Sequence, residues 1–151
     1  MPKIIISDTS GLIILSNIGA LDLLQKIYQN ITITSEVATE FAESIPDWIE
    51  IKNAINTHYQ KILELQVDKG EASAIALAME TPESVVIVDD YKARKIAENL
   101  GIKITGTVGV IVKAKLNGII PSIKPYLNKI EQTNFRLSAE IIKVALSEAG
   151  E

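Results

Sequence analysis

The sequence predicts an α/β fold, a three-layer α/β/α sandwich with a mostly parallel sheet of four to five strands. Residues 4–6 and 85–88 are continuous runs of β-branched apolar side chains, which is typical of strands covered on both faces. Segments with helical periodicity alternate with the strand-like runs, and this order favours right-handed βαβ crossovers. A chain of 151 residues is expected to form one domain over residues 1–151.

The first half of the chain shows clear elements with one irregular stretch. The predicted order is a strand over 4–6, helices over 12–17 and 20–28, a strand over 31–33, a helix from 34 or 35 to 43, an extended piece near 48–51 and a helix over 52–61. Residues 62–67 fit a helix or a strand equally well.

The second half is more regular. The predicted order begins with a helix from about 68 to the residues before Pro82, a strand over 85–88, a helix over 91–100 and a strand over 102–104. Three helices follow, over 108–116, 121–132 and 138–149. Ser138 is expected to cap the last helix, with Ile141, Ile142, Ala145 and Leu146 as its apolar stripe. That stripe is expected to pack on the domain itself or on a partner.

Composition excludes several classes of function. Cysteine is absent, which excludes a disulfide framework and thiol nucleophiles and suits a cytoplasmic protein. We expect no signal peptide and no membrane span. The only histidine, His58, has no partner at metal-ligand spacing, so zinc is disfavoured. The net charge of −4 argues against a strongly basic nucleic-acid binder, although an enzyme could approach nucleic acid through bound cations.

Aspartates follow both of the predicted buried strands. Asp8 comes just after the first, and the pair Asp89–Asp90 comes after the second. A parallel sheet brings such strand ends together, and ligands bind at that edge. Two carboxylates ~5 Å apart repel by roughly 3 kcal/mol at an effective dielectric near 20. Since Mg²⁺ and Mn²⁺ prefer oxygen ligands, a divalent cation that serves phosphoryl chemistry would remove the conflict.

These acidic residues also have structural alternatives. Asp8 could only cap the helix that follows it. Glu71 stands three residues after Asp68, which is the spacing of a capping box, and we weigh a cap and a site equally for it. One of Asp89 and Asp90 could cap the next helix, which leaves the other aspartate without a capping role.

Four further candidates have equally simple alternatives. Glu40 could be a solvated residue on a helix face. Ser10 and Thr107 most often serve as helix caps. Arg94, together with Lys92 and Lys95, forms a positive cluster near the predicted edge but could be merely a solvated helix face.

The chain resembles the PIN-domain family. The matching stretches are IIISDTSGLI, SEVATEF, GEASAIALA, VVIVDDYKAR and GTVGVI, and they extend over nearly the whole chain. The likeness is greatest to a PIN-like subgroup, whose better-known relatives look like toxin ribonucleases of prokaryotic toxin–antitoxin pairs. The resemblance implies a ribonuclease that depends on Mg²⁺ or Mn²⁺, forms a homodimer and is silenced by a small antitoxin.

The resemblance also implies roles for individual residues. It places the metal-binding and catalytic acids at Asp8, Glu40, Glu71 and the pair Asp89–Asp90. Glu71 stands where many relatives have aspartate, and the ligand within the pair stays open. Ser10, Thr107 and Arg94 are expected to contact water or the RNA substrate.

Two other functions are compatible with parts of the pattern. A PIN-like binding or regulatory protein without turnover would keep the fold and need not cleave RNA. A phosphatase of the haloacid-dehalogenase type also begins with a strand that ends on aspartate. That chemistry needs a second aspartate two residues later, where this chain has Ser10.

Overall fold

Five parallel strands form one sheet in the computed structural model, which describes residues 3–151. The strands are β1 (Ile4–Ser7), β2 (Ile31–Ile33), β3 (Ile49–Ile51), β4 (Ser84–Ile87) and β5 (Lys103–Thr105). Their order across the sheet is β3-β2-β1-β4-β5, and every neighbouring pair is parallel. The central strand β1 aligns Ser7 with Ile87 of β4, so the ends of these two strands meet at one edge.

Helices cover both faces of this sheet, as the predicted sandwich requires. They are α1 (Thr9–Asn17), α2 (Asp22–Tyr28), α3 (Ser35–Phe41), α4 (Thr57–Leu63), α5 (Lys69–Met79), α6 (Tyr91–Asn99), α7 (Thr107–Leu116), α8 (Lys124–Glu131) and α9 (Ala139–Glu148). Ile5 packs with α1–α3 and α7–α9, and its neighbour Ile6 packs with α4–α6. The predicted fold class is therefore confirmed.

The helix α5 packs on the sheet with small, buried side chains. Every residue from Gly70 to Ala78 is buried, and four of them are the alanines Ala72, Ala74, Ala76 and Ala78. Small side chains allow the helix backbone to approach the strands. This packing brings the first turn of α5 to the carboxyl edge of β1 and β4.

Two helices begin later than the sequence predicts, because distant carboxylates bind the preceding backbone. The amides of Ile55 and Asn56 donate to the two oxygens of Glu80 at 2.8 Å, which holds this stretch outside the helix predicted over 52–61. The helix α4 starts only at Thr57. Similarly, the amide of Ile123 donates to Glu151 at 2.8 Å, and α8 starts at Lys124 rather than at residue 121.

The last helix, α9, folds back on its own domain and contacts α7. Ser138 caps it, as predicted, by accepting a hydrogen bond from the Ile141 amide at 3.1 Å. The predicted apolar stripe was wrong by one position, since Ile141 is 49% exposed. The packed face consists of Ile142, Ala145, Leu146 and Ala149, which follow the i, i+3, i+4, i+7 spacing of one helix face.

No single helix within residues 3–151 is long and apolar enough to cross a membrane. Together, α1 and α2 have the length and apolar composition of a membrane span, but the chain bends by 115° between the two helices. In the fold, Leu12, Leu15 and Leu24 of this pair are fully buried in the core.

Candidate active site

Asp8 begins the candidate site at the carboxyl end of β1. It caps α1, because its Oδ1 accepts a hydrogen bond from the Gly11 amide at 2.9 Å. The residue is fully buried. Its second oxygen, Oδ2, has no hydrogen-bond partner among the residues that the structure describes. The cap therefore uses only one of the two carboxylate oxygens.

The two aspartates after β4 have different partners. Asp90 caps α6 by accepting a hydrogen bond from the Ala93 amide at 3.0 Å. Asp89 instead accepts from Thr107, whose amide lies 2.9 Å from Oδ1 and whose hydroxyl donates to Oδ2. Asp89 thus lies at the amino terminus of α7, where the helix dipole favours a negative charge.

This contact bears on the structural alternative for Thr107, which was a helix cap. The N-cap of α7 is Gly106, which gives no side-chain cap. Thr107 is the first residue of the helix and is fully buried. Its hydroxyl is directed to Asp89 instead of to its own helix.

Glu71 lies in the first turn of α5 and forms the capping box that its spacing predicts. Its amide donates to Asp68 Oδ1 at 2.8 Å, and its own Oε1 accepts from the Asp68 amide at 3.3 Å. Burial, followed by repulsion from Asp68, raises the pKa of Glu71 to about 7. The cap and the candidate site therefore share one side chain.

Electrostatic repulsion shows which acids lie near one another. Burial is the main cause that raises the pKa of Asp8 well above its ordinary value, and the Gly11 amide opposes that shift. Repulsion from Asp89, Glu71 and Asp68 raises the pKa of Asp8 further. Repulsion from Asp90 likewise raises the pKa of Glu71. Carboxylates from three separate segments thus converge at one edge of the sheet.

Glu40 approaches the same edge from α3, although it is exposed. Its Oε1 accepts a hydrogen bond from the hydroxyl of Thr9, the first residue of α1. The carboxylate lies against Gly70, where an added Cβ would overlap Glu40 Oε1 and stand 2.7 Å from Thr9 Oγ1. Gly70 therefore provides the space in which Glu40 meets the start of α5.

Arg94 lies beside the Asp89 carboxylate, whereas Ser10 stays at the surface. Arg94 Nη1 donates to the carbonyl oxygen of Val88 at 2.8 Å. A Cβ built at Gly106 would lie 3.0 Å from Arg94 Nη1 and 2.8 Å from Asp89 Oδ1, so both groups border this glycine. Ser10 is exposed in the first turn of α1.

Within residues 3–151, no group of three or more histidine, cysteine or acidic side chains converges closely enough to enclose a metal ion. The acids share one edge of the sheet without forming a closed cage.

Comparison with known proteins decides the family. A family model described as a PIN domain matches residues 4–151. The chain belongs to the PIN domain family. Neither a curated protein nor a solved structure matches the chain at a significant level. PIN domains are generally nucleases and usually bind divalent metals.

The acidic edge of this PIN domain fits a hard divalent cation. The buried Oδ2 of Asp8 has no donor among residues 3–151, and an uncompensated buried oxygen of this kind is costly. All nearby side-chain ligands are oxygens, which suits Mg²⁺ or Mn²⁺. Since Mg²⁺ usually keeps several waters and binds through one or two carboxylates, a closed cage of three acids is not required.

The sequence patterns missed several residues at this edge of the PIN domain. Thr34 follows β2 as Asp8 follows β1, and its hydroxyl lies 2.6 Å from that of Ser73 on α5. Ser73 in turn donates to the carbonyl oxygen of Gly70 at 2.8 Å. The polar residue after a buried strand was a usable signal for Thr34. Asp68 was recognised only as a cap, although its charge acts on Asp8.

Proposed function

We propose that this PIN domain is an endoribonuclease that depends on Mg²⁺ or Mn²⁺. The observation that carries the proposal is the buried Asp8 oxygen without a protein partner, at an edge that also holds Asp89 and Glu71. Asp8 and Asp89 would hold the cation. When bound, the cation supplies Lewis-acid charge for phosphodiester hydrolysis by water.

The choice of Asp89 over Asp90 rests on the charges and hydrogen bonds around them. The charge of Asp89 acts on Asp8, whereas Asp90 acts on Glu71 and caps α6 through one oxygen, which accepts from the Ala93 amide. Asp89 is oriented by both donors of Thr107, in the way that outer-shell hydrogen bonds orient metal-binding carboxylates. Asp90 then adds negative charge to the edge without binding the cation directly.

Glu71 and Glu40 take supporting roles in this proposal. A pKa of about 7 allows Glu71 to accept a proton from the attacking water near neutral pH. Glu40, held by Thr9 beside the first turn of α5, orients water there. Arg94, beside Gly106, offers positive charge to the phosphate, and exposed Ser10 offers a hydroxyl.

The partners expected from the family resemblance remain proposals. A homodimer would gain from covering the exposed Ile141 and Val144 of α9, which are 49% and 48% exposed. A small antitoxin with a basic segment would complement the acidic edge, because an arginine could pair with Asp8 or Asp90.

The test of the proposed function is cleavage of single-stranded RNA with Mn²⁺ or with a chelator. Cleavage should require the cation and should fall at least about 100-fold in Asp89→Asn. Asp47→Asn, at an exposed position outside the acidic edge, is the matched control and should stay active. Cleavage that persists in chelator would contradict the proposal. Cation-dependent RNA binding without cleavage would favour the binding protein instead.

A further inference from the structure

A groove beside β5 lies outside the acidic edge. Its volume is about 910 Å³, and residues of β1, α2, β4, β5 and α7 line it. Ile5, Val85 and Ile104 give it an apolar lining along the sheet. At one end it reaches Thr105, two residues before the Thr107 that binds Asp89. The groove and the candidate active site are therefore joined by a short segment of the chain, residues 105–107.

Three lysines from separate segments converge on this groove. They are Lys3 before β1, Lys103 in β5 and Lys113 in α7, and all three are exposed. Among the lining side chains that the structure describes, Glu98 alone is acidic. A net positive groove stands out in a chain whose net charge is −4.

Tyr28 gives the groove an aromatic wall. The Lys113 ammonium lies 4.9 Å from the centre of its ring, which is a cation–π contact. Burial raises the pKa of Tyr28, so the hydroxyl stays neutral and adds no negative charge. The Tyr28 ring is half-buried, and positive charge beside an aromatic side chain is typical of surfaces that bind single-stranded nucleic acid.

We infer that the groove binds the single-stranded RNA that flanks the bond to be cleaved, an inference that rests on the proposed function. Its charge complements a phosphate backbone, and its lining includes Thr105, two residues before the Thr107 that binds Asp89. Beyond Lys3 and Lys103, the neighbouring cavity is lined by Glu80 and Glu83. Two acidic side chains therefore border the groove on that side.

A second copy of the chain is a poorer occupant. The edge strand β5 has three residues, so pairing two such edges would place both copies of Lys103 in one short ladder. Short edge strands that carry lysine are a common protection against edge-to-edge pairing. Like charge thus disfavours a homodimer at this groove and favours a polyanion.

The inference has a quantitative signature in salt dependence. Each lysine that neutralises a phosphate of single-stranded RNA contributes about 0.7 to the slope of log K against log salt concentration. Removal of two such lysines in Lys103→Gln/Lys113→Gln should lower the slope by about 1.4. Replacement by glutamine removes the charge without adding a new one.

The experiment measures equilibrium binding of a labelled RNA oligonucleotide in chelator, between 50 and 200 mM salt, so that cleavage does not interfere. The matched control is Lys61→Gln/Lys129→Gln. Lys129 also lies over a tyrosine ring, 5.8 Å from the centre of Tyr126, but on α8. The control should keep the wild-type slope. Melting curves verify that each variant is folded, and Lys103→Gln alone, at an exposed position, is the second variant.

The outcomes are separable from those of the proposed function. Equal slopes for the groove variant and the wild type would overturn the inference, even if the enzyme cleaves RNA with Mn²⁺. A lower slope in a protein that never cleaves would support the groove while the proposed nuclease activity fails. A dimer in light scattering that the groove variant dissolves would assign the groove to a second copy and overturn the RNA assignment.

Discussion

Thr107 donates both of its hydrogen bonds to Asp89, through its amide at 2.9 Å and through its hydroxyl. These two residues are 18 positions apart and lie two residues beyond the ends of the neighbouring strands β4 and β5. The contact fixes the direction of the Asp89 carboxylate. In our account, this direction decides whether Asp89 can bind a cation.

Substitution of Thr107 tests that link. Thr107→Val keeps the shape of the side chain but removes the hydroxyl that donates to Asp89. We expect the affinity for Mn²⁺ and the rate of RNA cleavage to fall by about 10–100-fold, the usual effect of losing an outer-shell partner. Thr107→Ser retains the hydroxyl and should stay within a few-fold of the wild type. Equal Mn²⁺ affinity in the valine and serine variants would contradict the role given to Thr107.

Gly70 tests the contact between Glu40 and α5. Helix propensity alone favours alanine over glycine by up to about 1 kcal/mol. Here an added Cβ would overlap Glu40 Oε1, the movable end of an exposed side chain, and would stand 2.7 Å from Thr9 Oγ1. Gly70→Ala should therefore raise the melting temperature less than helix propensity alone predicts. In a Glu40→Ala background only the approach to Thr9 remains, and the same substitution should raise the melting temperature more than it does in the wild type. A melting temperature that rises equally in both backgrounds would rule out the contact.

Glu71 predicts how stability depends on pH in the chelated protein. Its pKa is about 7 in the folded chain and 4.5 in the ordinary state, so the folded chain holds more protons between these values. Stability therefore falls as the pH rises from about 4.5 to 7. Glu71→Gln keeps a side chain suited to a capping box but cannot titrate, so its stability should fall less over this window. The measurement is the urea midpoint of both proteins at several pH values. A urea midpoint of the wild type that rises with pH relative to that of the variant would contradict this prediction.

The sheet was predictable because local patterns in the sequence identify its central strands. The isoleucines of β1 and the apolar run of β4 identify buried strands, and Asp8 and Asp89 follow them directly. Chain order then places both aspartates at one edge. The capping box of Asp68 and Glu71 was equally visible, since both partners lie within one helical turn.

The remaining features depend on residues that are far apart in the chain. Glu80 keeps Ile55 and Asn56 out of α4 from 24 or 25 residues away. The pairing of Thr9 with Glu40 spans 31 residues. No local pattern contains such contacts, and the same reason hid the lysine groove. The one-residue error at Ile141 arose because the sequence does not show which face of α9 meets α7.

Truncation tests whether α9 belongs to the core. Its face packs on the domain through Ala145 and Ala149, and the Lys115 ammonium donates to the carbonyl oxygen of Ala149 at 2.7 Å. A chain that ends after Arg136 should therefore lose its cooperative unfolding transition. The control, Glu151→Gln in the full chain, weakens the contacts of this side chain with Ser122, Ile123 and Lys115 but keeps α9, and it should stay folded. A truncated chain that stays folded but changes its mass in light scattering would make α9 an interface.

The central claim is that Asp8 binds a divalent cation through its buried, unpartnered oxygen. The most direct measurement is the anomalous scattering of Mn²⁺ in crystals of the wild type and of Asp8→Asn, grown at equal Mn²⁺ concentration. We predict a peak at bonding distance from Asp8 Oδ2 and near Asp89 in the wild type, and no peak at this edge in the variant. A wild-type crystal with Mn²⁺ bound elsewhere, and none at Asp8, would contradict the account.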